Sequence, residues 1–206
     1  MEPCARVEAG GVIVWVVGDA TKDGTETGSS LQQALHFKTL GLNLHDTMIY
    51  ETTKPPMNDN RYEPKFEYMY VFSKGPPQTW NPIKESSVYA GTKTGATYRY
   101  QNDELKKRNG KATINDMKVR GNIWKYGSGN GKDDVTGHPA QFPLKLAMDH
   151  VTTWSNKGDI VLDPFMGSGT TAKAAQELCR HYIGFEINPE YVEICQRRTA
   201  QATLGI

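Results

Sequence analysis

An α/β fold built around a mostly parallel sheet is predicted for this chain by three features of its sequence. Val12–Val17 (VIVWVV) is an unbroken β-branched run, the pattern of a strand buried on both faces. From His138 onward, apolar runs alternate with stretches of helical period. Phe142–Trp154, Asp159–Asp163, Gly167–Leu178, Tyr182–Glu186 and Pro189–Arg198 read in turn as helix, strand, helix, strand and helix. Between the first of those strands and its helix lies a glycine-rich turn, VLDPFMGSGTT over Val161–Thr171, and strand-to-helix turns are where α/β sheets hold ligands.

The remaining elements follow in chain order. Ser29–Leu40 has apolar residues at Leu31, Ala34, Leu35 and Phe37, a serine to cap it and Gly41 to stop it, so it reads as a helix. Asp46–Tyr50 and Lys65–Lys74 read as strands able to pair antiparallel across a polar loop containing Pro55-Pro56. From Gly75 to Thr136 no helical period persists, and the stretch reads as an irregular insertion or loop region. Between Arg99 and Lys132 it holds nine Lys/Arg against three Asp/Glu, a local balance of +6.

Composition narrows the classes. A chain of 206 residues suits one domain, or one domain with an insertion. The formal net charge is +1, so any nucleic-acid-binding surface must be local. Cys4, Cys179 and Cys195 show no CxxC spacing, against a zinc site or a disulfide framework. No apolar run approaches the roughly 18 residues of a membrane span, and MEPCARVEAGG is no signal peptide. The expectation is a soluble, cytoplasmic protein.

The glycine turn carries the sharpest chemistry. Gly167 and Gly169 permit a tight turn and close approach of a ligand, and the following helix presents unpaired N–H groups. Gly167–Ala172 fits the generic GxGxxG/A dinucleotide pattern, which is weak by itself. Asp163 discriminates. A carboxylate four positions ahead of Gly167 repels a pyrophosphate and suits a cofactor that carries an ammonium and a sulfonium, which describes S-adenosylmethionine. Glu186 ends the next strand, 23 residues after Asp163, where an acid can accept hydrogen bonds from ribose hydroxyls. A nicotinamide-dependent oxidoreductase is the competing reading, but it needs further βα units after Glu186 and only 20 residues follow.

DPFMGSGTT followed by GFEINPEYVEI resembles the cofactor half of the DNA N6-adenine and N4-cytosine methyltransferases. HPAQFP (His138–Pro143) resembles the motif that precedes the glycine loop in the circularly permuted β group of that family. VIVWVVGDATKDG and FEYMYVFSKG are similar to a core strand and to the strand pair beyond it. The resemblance implies a Rossmann-like methyltransferase fold and S-adenosylmethionine as cofactor. By it, Asp163, Pro164, Phe165, Gly167, Ser168, Gly169, Thr170 and Thr171 form the cofactor loop, Glu186 holds the ribose, and Asn188 lies beside the adenine. His138 and Phe142 would close over the cofactor from the side, although many relatives carry lysine where this chain has Phe142. It also implies a layout: residues 1–74 a partial core, 75–136 a target-recognition insertion, 137–206 the cofactor-binding half. Double-stranded DNA is the implied partner, with adenine N6 favoured over cytosine N4 because that reaction is the commoner.

One motif of the family has no counterpart. Methyl transfer to an exocyclic amine uses a (D/S/N)PP(Y/F/W) tetrapeptide, whose polar group and carbonyl accept the amine's hydrogens while its ring stacks on the flipped base. Lys54-Pro55-Pro56-Met57 and Gly75-Pro76-Pro77-Gln78 have the prolines without the acceptor or the aromatic, so no catalytic residue is assigned. In the family the strand bearing the tetrapeptide lies between those at Asp159–Asp163 and Val12–Val17. The sheet is therefore expected to be incomplete, and the chain to be a fragment, a truncated product or one part of an assembly complemented by another chain or a second copy; the alternative is a catalytically inactive remnant that binds the cofactor, DNA or both.

The basic stretch suits phosphate neutralisation, with Lys106, Lys107, Arg108, Lys118 and Arg120 as candidate DNA contacts and Tyr98, Tyr100, Trp124 and Tyr126 interleaved. A solvated lysine-rich loop is the plainer reading. Phe66, Tyr68, Tyr70 and Phe72 read as a packed sheet face, the histidines as structural or surface residues, and Asp19 as either a turn carboxylate or a cleft residue.

Overall fold

The structure, a computed structural model, describes residues 7–52, 62–94, 97–99, 105–107, 112–126 and 143–200. Strand β1 (Val12–Val17) leads into a tight hairpin of β2 (Thr21–Lys22) and β3 (Thr25–Glu26), and then helix α1 (Ser29–Thr39). Strands β4 (Asn43–Glu51) and β5 (Phe66–Ser73) pair antiparallel, with a register shift between Leu44 and Asp46. β1 also runs antiparallel to β5, so β1 and β4 flank it.

The doubly buried strand is β5 rather than β1. Met69, Val71 and Phe72 are fully buried, whereas every residue of β1 is only half-buried. The reason is position: β5 has a strand on each edge and a helix on each face. Alternation sends Tyr70 and Phe72 to one face, where Phe72 meets Phe37 of α1 at 4.8 Å between ring centroids. It sends Met69 to the other, where its sulfur lies 3.3 Å from His150 Nε2. Among described residues β1 has a partner on one edge only.

The cap of α1 also differs from expectation. Ser29 lies inside the helix, Gly28 precedes it, and neither provides a side-chain cap. Asp19, just past β1, reaches across instead. Its carboxylate accepts the Ser30 N–H at 2.9 Å and the Ser29 hydroxyl at 3.0 Å, and the Ser30 hydroxyl donates to it as well. Hydrogen bonds from Ser30 hold the Asp19 carboxyl below its usual range. Of the two readings of Asp19, its role is thus a structural turn carboxylate. The buried face of α1 is Ser30, Ala34 and Phe37, which leaves Leu31 and Leu35 exposed.

Contacts divide the chain into two compact units, one of residues through Asn81 together with those from Asn122 onward, the other Pro82–Gly121. In the second, β6 (Lys84–Ser86), β7 (Lys93–Thr94), β8 (Thr97–Arg99), β9 (Leu105–Lys107), β10 (Ala112–Thr113) and β11 (Met117–Val119) form three antiparallel ladders, β6/β11, β7/β10 and β8/β9. These ladders are nested in sequence, the signature of one long two-stranded ribbon. The irregular insertion expected here is thus paired, because partners across a long hairpin are distant in sequence and leave no local period.

Strand β12 (Ile123–Lys125) returns to the first unit, parallel to β4 at the far edge of a sheet ordered β1-β5-β4-β12. This removes Trp124 and Tyr126 from the candidate DNA contacts. Trp124 is 4% exposed and packs on His150 at 4.6 Å, and the Tyr126 hydroxyl donates to Asp149 at 2.9 Å.

Helix α2 (Leu144–Trp154), strand β13 (Ile160–Asp163), helix α3 (Thr170–Glu177), strand β14 (His181–Gly184) and helix α4 (Pro189–Ala200) complete the fold. β13 and β14 are parallel and form a separate two-stranded sheet. Among the described residues, the ladders of this unit outside the β2/β3 hairpin are two parallel and two antiparallel, so the α/β class stands and the described sheet is mixed rather than mostly parallel. Val161 packs into a cluster with Ala147 and Val151 of α2 and Ala174 of α3. The opposite face is bare: Ile160 is 64% and Leu162 56% exposed. No helix among the described residues is long and apolar enough to cross a membrane.

His150 links this packing to pH. Burial pushes its pKa down to about 4, against a smaller opposing pull from Asp149, and its Nδ1 has no hydrogen-bond partner. Between about pH 6.5 and 4 the unfolded chain takes up a proton that the folded chain refuses, so stability falls as pH falls through that window. The loss is about 3 kcal/mol across it. Urea titrations at pH 7 and pH 5 are expected to show a smaller drop for His150→Gln than for the native chain, and an equal drop would refute the assignment.

Candidate cofactor site

β13 and β14 bring two carboxylates to neighbouring strand ends. Asp163, the last residue of β13, is paired in register with Gly184, the last of β14, and Glu186 follows two residues later. The Phe185 N–H donates to Asp163 O at 3.0 Å, and the Met166 N–H donates to Phe185 O at 2.9 Å, so the loop after β13 is stitched to the end of β14. The carboxyl ends of parallel strands are where open α/β sheets bind ligands.

The carboxylates also shape the loop. Asp163 Oδ1 accepts the Phe165 N–H at 2.9 Å. Glu186 spans two segments, taking the Gly167 N–H on Oε2 at 2.7 Å and the Asn188 N–H on Oε1 at 2.8 Å. Each carboxylate oxygen has a second acceptor direction, so these bonds leave capacity for a ligand hydroxyl. The Asn188 side-chain oxygen accepts the Glu190 N–H at 2.9 Å and caps α4, a local role that the sequence reading did not include.

Gly167 (φ 52°) and Gly169 (φ 87°) both take left-handed backbone, and Gly169 is the N-cap of α3. A Cβ on Gly169 would lie 2.9 Å from Cys195 Cβ and 3.1 Å from its Cα, so α4 presses directly on the turn. Ser168 and Thr170 are buried and Thr171 is half-buried, while Pro164 is exposed. Phe165 is 73% exposed and meets Trp15 of β1 edge-on at 6.1 Å, and Trp15 is itself held by Gln33 at 2.7 Å.

Arg198 was missing from the sequence-predicted set. Its Nη1 donates to Ser168 O at 2.8 Å and lies 3.1 Å from Ser168 Oγ and 3.4 Å from Thr170 Oγ1. Cys195 lies in the same surroundings. Burial pushes its thiol pKa up, Arg198 opposes this, and Asp163 adds to it. The i, i+3 spacing that puts Cys195 and Arg198 on one face of α4 is visible in the sequence; the loop they face is not.

Of the other candidates, His138, Phe142 and Arg108 lie outside the described residues, and Lys106 and Lys107 belong to strand β9. Lys118 is exposed and pairs with Glu85 directly across the ribbon at 3.0 Å. Arg120 is half-buried, and its backbone N–H donates to Ile83 O at 2.9 Å.

Known proteins are similar to this chain. The N6/N4 DNA methylase family matches residues 4–197. The orphan methyltransferase M.BamHII of Bacillus amyloliquefaciens is 50% identical over 197 residues, which span 92% of this chain and 74% of that protein. The type II methyltransferase M.BglII of Bacillus subtilis is 29% identical over 199 residues, 94% of this chain and 53% of its own length. Among solved structures, the M1.HpyAVI–SAM complex superposes with a TM-score of 0.59 at 24% identity, covering 95% of this chain and 79% of that one. With the family match running through both the β1–β5 strands and the Asp163–Glu186 site, the chain belongs to the N6/N4 DNA methylases, S-adenosylmethionine-dependent enzymes that methylate exocyclic amines of DNA bases.

Proposed function

We propose that this chain binds S-adenosylmethionine at the Asp163–Glu186 site and takes part in site-specific methylation of an exocyclic amine in double-stranded DNA. The observation that carries the reading is the pair of carboxylates at adjoining ends of β13 and β14 around a left-handed glycine turn. The donor set fits the cofactor. Asp163 offers a carboxylate to the ammonium, and Glu186 has acceptor directions for the ribose beyond its bonds to the Gly167 and Asn188 N–H groups. When bound, the cofactor supplies an electrophilic methyl group. Adenine N6 is the first target to assay and cytosine N4 the alternative.

For DNA, the support is the two-stranded ribbon of Pro82–Gly121, a form that a major groove admits. It carries Lys106 and Lys107 in the β8/β9 ladder and Lys118 in the β6/β11 ladder, with Arg120 just after it. Lys118 spends its charge on Glu85 and would have to exchange that partner for a phosphate.

A further strand, supplied by another segment or a complementing chain, is part of this reading. Three observations support it: among the described residues the half-buried β1 has one neighbour and β13 pairs with β14 alone, and Ile160 and Leu162 are bare. Strands this apolar are not left open at no cost.

The test has two arms. S-adenosylmethionine at a hundredfold excess over its dissociation constant should stabilise the chain by about 2.7 kcal/mol, roughly 5–10 °C in melting temperature. Methyl incorporation into DNA should be absent for the chain alone and appear when a polypeptide carrying the (D/S/N)PP(Y/F/W) strand is added. No thermal shift would refute the cofactor site, and robust transfer by the chain alone would refute the need for a further strand.

A further inference from the structure

We infer that Arg198 is a positioning residue for the cofactor loop, holding the Ser168–Gly169–Thr170 turn in the conformation that binds S-adenosylmethionine; the inference rests on the cofactor reading above. The turn needs an external hold. Gly169 is left-handed and α3 begins without a side-chain cap; the turn is pinned in front by the Gly169 N–H to Met166 O bond at 2.9 Å and the Gly167 N–H to Glu186 Oε2 bond at 2.7 Å. α4 supplies the hold from behind. Arg198 Nη1 donates to the Ser168 carbonyl at 2.8 Å and lies within 3.1 Å of its hydroxyl, while Cys195, one turn earlier on the same face, fills the space beneath Gly169.

The burial pattern strengthens the assignment. Ser168 and Thr170 are buried, so the carbonyl and hydroxyl that Arg198 serves have little water at hand to replace the guanidinium if it is removed. Arg198 is itself only half-buried, and a single nitrogen makes every bond. A lysine that reaches the same place can therefore replace much of the function, whereas a methionine of similar length cannot. Because the guanidinium lies behind the loop and bonds its backbone, it acts on the cofactor through the turn.

The test compares the native chain, Arg198→Met and Arg198→Lys by calorimetric titration with S-adenosylmethionine and by amide exchange. Arg198→Met should weaken cofactor binding about tenfold and speed exchange at the Gly169 amide about tenfold, with exchange in β13 and β5 unchanged, and Arg198→Lys should recover most of both. Unchanged affinity in Arg198→Met, beside a native chain that binds, overturns the inference and leaves the cofactor site standing. Exchange raised equally at Gly169, Leu162 and Val71 overturns it too, by making Arg198 a general stabiliser. A native chain that does not bind defeats the cofactor reading instead, and the Gly169 exchange rate then decides alone whether Arg198 holds the turn. If Arg198→Met does not fold, Arg198→Gln takes its place with the same criteria.

Discussion

Replacing Asp163 by alanine is expected to abolish S-adenosylmethionine binding, with a loss of at least a hundredfold, about 3 kcal/mol. Two effects combine. The carboxylate is the negative charge at the end of β13 that faces the cofactor's cationic end in the proposed complex. It also accepts the Phe165 N–H at 2.9 Å, which starts the loop. Asp163→Asn separates them, since an amide oxygen can keep the Phe165 bond but carries no charge. Asp163→Asn should fold and melt like the native chain while binding about tenfold or more weakly, because charge-assisted bonds are roughly twice as strong as neutral ones. Calorimetric titration of both variants decides it. Native affinity in Asp163→Ala would remove the carboxylate from the site altogether.

Gly169→Ala is expected to cost about 3 kcal/mol of stability and to weaken cofactor binding with it. About 1 kcal/mol is the ordinary penalty for a side chain in left-handed backbone, here at φ 87°. The rest comes from crowding against Cys195, whose Cα lies 3.1 Å from the new methyl and belongs to the backbone of α4. Gly41 provides the control. It has φ 83° and nothing within 4 Å of an added Cβ, so Gly41→Ala should show the backbone penalty alone. Denaturant titration of the two variants measures the difference. Adding Cys195→Ala to Gly169→Ala should restore part of the loss by removing the sulfur but not the backbone. Equal costs at the two glycines would refute the close packing of α4 on the turn.

The candidate site was legible in the sequence because its logic is local. Asp163, the glycines and Glu186 lie within 24 residues. A strand, a turn and a helix impose their own periods there, and the parallel crossover brings the ends of β13 and β14 together. The elements α1, α2, α3 and α4 appear within a few residues of where the apolar spacing places them.

What the sequence left open are the choices made by distant partners. The apolar run of β1 promises burial on both faces, but β5, whose pattern looked half-polar, is the strand that receives a neighbour on each edge and a helix on each face. Trp124 and Tyr126 sit in a basic stretch and look like DNA contacts, yet β12 pairs with β4, which buries Trp124 beside His150 and brings the Tyr126 hydroxyl to Asp149. Ser29 looks like a cap, and Asp19 does the capping by accepting the Ser30 N–H from eleven residues away. Arg198 reads as one more cation in a surface helix until Ser168 is found beneath it. The sequence by itself thus determined the glycine turn and the carboxylates around it, since their spacing follows from one strand–turn–helix unit. Only the tertiary structure decided which strand is central, which aromatic residues are core and which arginine supports the loop, because these depend on packing and hydrogen bonds between segments that no local period connects.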